Sequence, residues 1–153
     1  MGSSKKGHLG DSNGFTLIEL MIVLVVLAVI AAIAISNLMG AYDRAKQGAT
    51  VADMRSIASA IQAYAIDHST PPPPTGNFDD LVTSLRLYQQ SGIPDTDHWG
   101  HTYVYTTDGA SYSVISYGKD GVDGADLNWS TRNQFERDIV VNNGVFVAGP
   151  EVR

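Results

Sequence analysis

At 153 residues the chain is sized for one domain rather than two. Its 44% hydrophobic and 17% charged residues are the composition of a globular protein, not of a disordered one. A formal charge of −6, with no basic cluster beyond Lys5-Lys6, argues against nucleic-acid binding by phosphate neutralisation. The absence of cysteine excludes disulfide scaffolds, thiol nucleophiles and cysteine zinc sites.

Residues 1–14 are small and polar, and Lys5 and Lys6 are their basic residues. Phe15 to Ile35 is the opposite, an apolar stretch interrupted by Thr16 and by a single charge, Glu19. As a helix rising about 1.5 Å per residue, it is long enough to cross the hydrocarbon core of a bilayer. The basic pair ahead of it places residues 1–14 in the cytoplasm and the rest outside. A secretory signal would carry its cleavage site after the apolar stretch, whereas here the polar-to-apolar junction, Gly14-Phe15, precedes it. Glu19 is costly in such a helix and calls for a positive partner. Cleavage between Gly14 and Phe15 would create one, the new α-amino group of Phe15, with Glu19 as the fifth residue of the shortened chain. The bland alternative is a glutamate near the interface that snorkels to water.

The run Gly14-Phe15-Thr16-Leu17-Ile18-Glu19-Leu20 resembles the processing and methylation motif of type IV pilins and type II secretion pseudopilins. The resemblance implies cleavage after Gly14 by a prepilin peptidase and N-methylation of Phe15. It also implies that Glu19 aids subunit docking by neutralising the N-terminal amine of an adjacent subunit. One departure is the missing proline just after the apolar stretch, where this chain reads Ile35-Ser36-Asn37. Less interruption of the helix is expected there, with Gly40 the nearest weak point.

Residues 37–68 continue as a helix whose Met54, Ile57, Ala58, Ile61, Tyr64 and Ala65 form one apolar stripe at i, i+3, i+4, i+7 spacing. The stripe is a packing face, not a cofactor box. Pro71-Pro72-Pro73-Pro74 ends the helix and reads as an extended spacer. Asn77 is the expected N-cap of a short amphipathic helix running to about Gln90 through Leu81, Leu85 and Tyr88, with Asp79 and Asp80 in its first turn. His101–Thr107 and Ser111–Tyr117, separated by Asp108-Gly109, read as a hairpin. A second hairpin is expected late, Asp138–Val141 and Val145–Ala148 around Asn142-Asn143-Gly144, added over the sheet edge.

Between the hairpins lies Ser116-Tyr117-Gly118-Lys119-Asp120-Gly121-Val122-Asp123-Gly124-Ala125-Asp126. Three carboxylates at three-residue spacing repel one another unless a cation lies between them. The glycines let the backbone turn its carbonyls inward as further oxygens, which suits calcium. The spacing does not fit an EF-hand, and a solvated acidic loop is the plain alternative. Asp97-His98-Trp99-Gly100, Tyr103 and this loop together are similar to the C-terminal region of the major pseudopilins of type II secretion. In that family an Asp-Pro-Trp-Gly element precedes the sheet and a Gly-x-Asp-Gly loop binds structural calcium. The resemblance implies Asp120 as the first ligand, Asp123 or Asp126 as the later one, and Ser116 as a further candidate oxygen. His98 stands where the family has proline.

Enzymatic activity is not expected. His98 and His101 are spaced to share a metal but have no carboxylate pattern around them, so they read as surface or packing residues. No nucleophile elbow, phosphate loop or dinucleotide fingerprint is present. The expected fold is α+β and type IV pilin-like, a long N-terminal helix packed on a small antiparallel sheet. The expected organisation is a cleaved leader at 1–14, a membrane-spanning and filament-core helix at 15–36, and a periplasmic or extracellular globular domain at 37–153. The resemblance implies a subunit that sits in the bacterial inner membrane and polymerises into the pseudopilus of type II secretion. Its implied partners are other copies of itself, minor pilins or pseudopilins, the prepilin peptidase, the inner-membrane assembly platform with its ATPase, and membrane lipid before assembly. The alternatives are a major type IV pilin forming surface fibres and, from another class, a single-span membrane protein with a periplasmic ligand-binding domain.

Overall fold

The computed structural model describes residues 14–72, 78–89, 92–124, 129–130, 134–150 and 152. Helix α1, Leu17–His68, is unbroken through Ser36-Asn37, as expected of a stretch without proline. The chain divides into two compact units, Met1–Leu38 and Met39–Arg153. In the first unit every described side chain from Gly14 to Ile35 is exposed. Its most apolar window has a mean hydropathy of 3.1, long and apolar enough to cross a membrane.

The second unit holds the core. Val51, Met54, Ile57, Ala58 and Ile61 of α1 are buried together with Tyr103, Tyr112, Val114, Ile139 and Val141. Helix α2, Phe78–Leu85, closes the same core with Phe78, Leu81 and Leu85. Met54, Ile57 and Ile61 are fully buried, and each contributes about 1.5–3 kcal/mol by the usual transfer arithmetic. The stripe along α1 starts earlier than its apolar residues suggest, because Gln47 and Thr50 are also buried.

Four antiparallel strands lie in chain order in one sheet: β1 Val104–Thr107, β2 Tyr112–Ser116, β3 Ile139–Asn142 and β4 Val145–Ala148. Along β2 burial alternates, with Tyr112, Val114 and Ser116 on the buried face. The Tyr112 hydroxyl donates to the Ala58 carbonyl at 3.3 Å and so ties β2 to α1. Between β3 and β4 both Asn143 (φ 48°) and Gly144 (φ 83°) are left-handed, the requirement of a two-residue type I′ turn. The second hairpin enlarges the sheet directly, because β3 pairs with β2 in the register Val114↔Val141 and Ser116↔Ile139.

Several element boundaries, and the packing of the proline run, differ from the sequence reading. Helix α2 ends at Leu85 rather than near Gln90, since the Tyr88 amide already bonds the Leu85 carbonyl three residues back in a tighter turn. Strand β1 begins at Val104, because Thr102 and Tyr103 are held elsewhere, in an isolated bridge to Thr96 and a bond to the Asp95 carbonyl. Pro72 is buried and its carbonyl accepts the Tyr105 hydroxyl at 2.6 Å, so this part of the proline run is packed rather than a free spacer. Asn77 and Pro73-Pro74 lie outside the described residues.

Candidate functional site

The N-terminal end of α1 is organised by Thr16 and Glu19. The Glu19 carboxylate accepts the Thr16 amide at 3.0 Å and the Thr16 hydroxyl at 3.1 Å, while the Thr16 hydroxyl oxygen accepts the Glu19 amide at 3.2 Å. This is a capping box, each side chain satisfying an amide that the helix leaves free. The Thr-x-x-Glu spacing carries the signal. Reading Glu19 only by the cost of its charge passes over it. Gly14 has no positive φ, and a Cβ there would meet nothing within 4 Å, so the fold itself does not require glycine at this position. Phe15 is exposed.

At the other end of the molecule's chemistry is Asp97. It is buried, and one carboxylate oxygen accepts the amides of Trp99 and His101, both at 2.9 Å. The other accepts the Ser116 hydroxyl at 2.8 Å. The Asp97 amide bonds the His101 carbonyl and its own carbonyl accepts the Gly100 amide, so the Asp-His-Trp-Gly segment is a turn wound around one carboxylate. His101 Nδ1 lies 2.9 Å from the Gly118 carbonyl, which fixes that nitrogen as the protonated one, and its ring fills the space beside Gly121. His98 is turned away to Asp53 on α1, Nε2 to Oδ2 3.0 Å. The two histidines thus serve separate packing contacts.

The acidic loop hangs from this turn. Ser116 donates to Asp97 and its oxygen accepts the Gly118 amide, so its hydroxyl is engaged inside the turn. Asp120 is exposed and its carboxylate accepts the Val122 amide. Asp123 is exposed, and Asp126 lies outside the described residues. Lys119 reaches Asp43 of α1 at 2.8 Å.

A fourth carboxylate, which the loop spacing does not reveal, closes the loop from below. Asp138, just ahead of β3, is only 3% exposed. Its Oδ2 accepts the Gly124 amide at 3.1 Å, whereas its Oδ1 is buried with no hydrogen-bond partner among the described residues. Burial pushes its pKa up, the Gly124 amide opposes the rise, and the charges of Asp123 and Asp120 add to it. Among the described residues no three acidic or imidazole side chains are already gathered around one point. The donor set is nevertheless all oxygen, and the orphaned Oδ1 suits a hard cation such as calcium.

The family model for type II secretion system protein G matches residues 37–131. The chain belongs to this family, the major pseudopilins of type II secretion. A second family model, the prokaryotic N-terminal methylation motif, matches residues 10–35 and spans the Gly14-Phe15 junction. The type II secretion system core protein G of Klebsiella michiganensis is 34% identical over 76% of this chain and 92% of that protein. Its namesake in Vibrio cholerae is 32% identical over 78% of this chain and 93% of its own length. The Pseudomonas aeruginosa protein of the same name is 32% identical over 76% and 89%. No solved structure matches the chain. In this pseudopilin the family match takes in Asp97, Ser116, Asp120 and Asp123 and stops before Asp138 and the β3–β4 hairpin.

Proposed function

We propose that this pseudopilin is cleaved between Gly14 and Phe15, N-methylated on Phe15, and assembled from the inner membrane into the helical pseudopilus that drives type II protein export. The observation that carries this reading is the run of exposed apolar side chains from Phe15 along the first part of α1 to Ile35. Water tolerates no such surface. Lipid covers it before assembly, with residues 1–14 cytoplasmic and the globular unit periplasmic, and the same helices of neighbouring copies cover it afterwards. Glu19 then exchanges part of its capping box for the Phe15 amine of an adjacent copy and sets axial register. A carboxylate in an apolar filament core is stable only with such a partner. The peptidase, the assembly platform with its ATPase, and minor pseudopilins are the partners this role requires. The role is structural, and the polar chemistry described above serves the fold and assembly rather than turnover.

We further infer that the acidic loop binds a structural calcium ion, with Asp120 and Asp123 as ligands among the described residues. Ser116 contributes by holding Asp97 and the start of the loop. Calcium supplies positive charge where carboxylates would otherwise repel, and by binding only the folded state it raises stability by mass action.

The test of assembly is a Glu19→Ala variant expressed with its secretion system. Membrane insertion and an N-terminus at Phe15, read by mass spectrometry, should be unchanged, while filaments recovered by shearing are lost. Wild-type filament yield from Glu19→Ala removes the docking role. An N-terminus at Phe15 in Gly14→Val removes the cleavage site.

A further inference from the structure

Arg44 and Lys46 are the only basic residues between Phe15 and Gln47, in a chain whose formal charge is −6. Both side chains lean toward the N-terminal end of α1, as long helical side chains do. A Cβ built on Gly40 would stand 3.5 Å from Arg44 Nη1, and the Lys46 ammonium sits 4.8 Å from the centre of the Tyr42 ring. The two charges therefore lie level with residues 40–42. At about 1.5 Å per residue, those residues are within about 10 Å of Ile35 along the chain, which brings the charges to the headgroup layer beside a bilayer core. Tyr42 is itself exposed, and a tyrosine has the apolar body and polar tip that membrane interfaces favour. Asp43, the acid between Tyr42 and Arg44, is engaged by Lys119 at 2.8 Å, so its charge is offset. Among the described residues no carboxylate forms an ion pair with Arg44 or Lys46, and the patch keeps its positive surplus.

We propose that Tyr42, Arg44 and Lys46 form a docking patch for anionic phospholipid headgroups on the outer face of the membrane. This rests on the membrane reading above, and adds to it the lipid class and the residues that hold it. Lipid phosphates take the two cations, and the Tyr42 ring lies beside the glycerol and upper acyl atoms. An otherwise acidic chain is repelled by such a surface, so the attraction is confined to this patch. The patch sets the depth of the apolar helix, because moving the chain outward draws both cations off the phosphates. Leaving the membrane for a filament breaks the same contacts, so lipid charge resists extraction.

The test uses the full chain reconstituted in vesicles of phosphatidylcholine, alone or mixed with phosphatidylglycerol. The chain has no cysteine, so Ala45→Cys, at an exposed position between the two basic residues, accepts a single nitroxide label. Its collision rate with a water-soluble nickel complex reads whether the patch lies among headgroups or in water. In the mixed vesicles the label should be shielded. Arg44→Gln with Lys46→Gln should expose it, lowering the ratio of shielded to open label by about fivefold for each charge removed. High salt should expose it too, because the attraction is screened. The swap Arg44→Lys with Lys46→Arg should stay shielded, which separates charge from any change in packing. Equal shielding in both vesicle types, equal shielding with and without the two charges, or an exposed label in the swap overturns the patch. A chain that floats with the vesicles and gives any of these results leaves the membrane reading standing. A chain that does not float with either vesicle overturns both.

Discussion

Asp97→Ala should be the most damaging single substitution in the turn that carries the acidic loop. The carboxylate accepts three donors, the Trp99 amide, the His101 amide and the Ser116 hydroxyl, in a site 4% exposed. Alanine leaves all three without an acceptor and opens a small void beneath the turn. Each unmade bond to a buried donor costs about 1–3 kcal/mol, and some relaxation onto water is available, so the loss should be about 3–5 kcal/mol. Asp97→Asn keeps the oxygen that faces the two amides and changes only the contact with Ser116, so about 1–2 kcal/mol is expected. Denaturant unfolding of the full chain in detergent, followed by Trp99 and Trp129 fluorescence, measures both. Because His101 holds the Gly118 carbonyl, the alanine variant should also loosen the loop and weaken any calcium response. An alanine variant within about 1 kcal/mol of wild type would refute the reasoning, since two part-buried amides and one buried hydroxyl would have lost their shared acceptor. Equal losses for alanine and asparagine would show that charge, not hydrogen-bond count, holds the turn.

Further outcomes follow from the same geometry. Gly118→Ala should cost about 2–4 kcal/mol, because φ there is +66° and a Cβ would stand 2.7 and 2.8 Å from the backbone carbonyls of Arg137 and Phe135. Thermal unfolding reads this loss, and a neutral result would mean the two segments can separate. Lys119→Ala should cost less than about 1 kcal/mol, since the pair with Asp43 is half exposed on the lysine side, and the loss should fade at high salt. A salt-independent loss would point to packing of the lysine stem instead. Thr16→Ala should cost about 1 kcal/mol of local helix stability and speed amide exchange at Leu17 to Leu20 in micelles. Unchanged exchange would mean the capping box contributes nothing there.

The features legible in the sequence are those whose signal is local. The apolar stretch from Phe15 is written in consecutive residues, and so is the Asn143-Gly144 turn, whose backbone angles few other residues accept. The Asp97 turn was visible as a motif but not as a mechanism, because its meaning lies in Ser116, on a strand that sequence spacing cannot place beside it. The sequence offers Asp138 only as the start of a strand, because its burial depends on sheet register between β2 and β3. The strand and helix ends drifted where tertiary bonds to Asp95, Thr96 and Leu85 overrode local propensity. His98, where the resemblance expects proline, donates its amide to Thr50 and its ring to Asp53, two contacts proline could not make.

The connection from β2 to β3, residues 117–138, is the longest between neighbouring strands, and joining its ends as one free loop would cost about 2–3 kcal/mol of chain entropy. The structure subdivides it. The Lys119 amide reaches the Phe135 carbonyl, the Gly124 amide reaches Asp138, and the Trp129 indole reaches the Asp138 carbonyl. These clasps split one long closure into several short ones, the service disulfides perform in chains that have cysteine. Each strand can therefore meet its partner in chain order, because every closure between neighbouring strands is short.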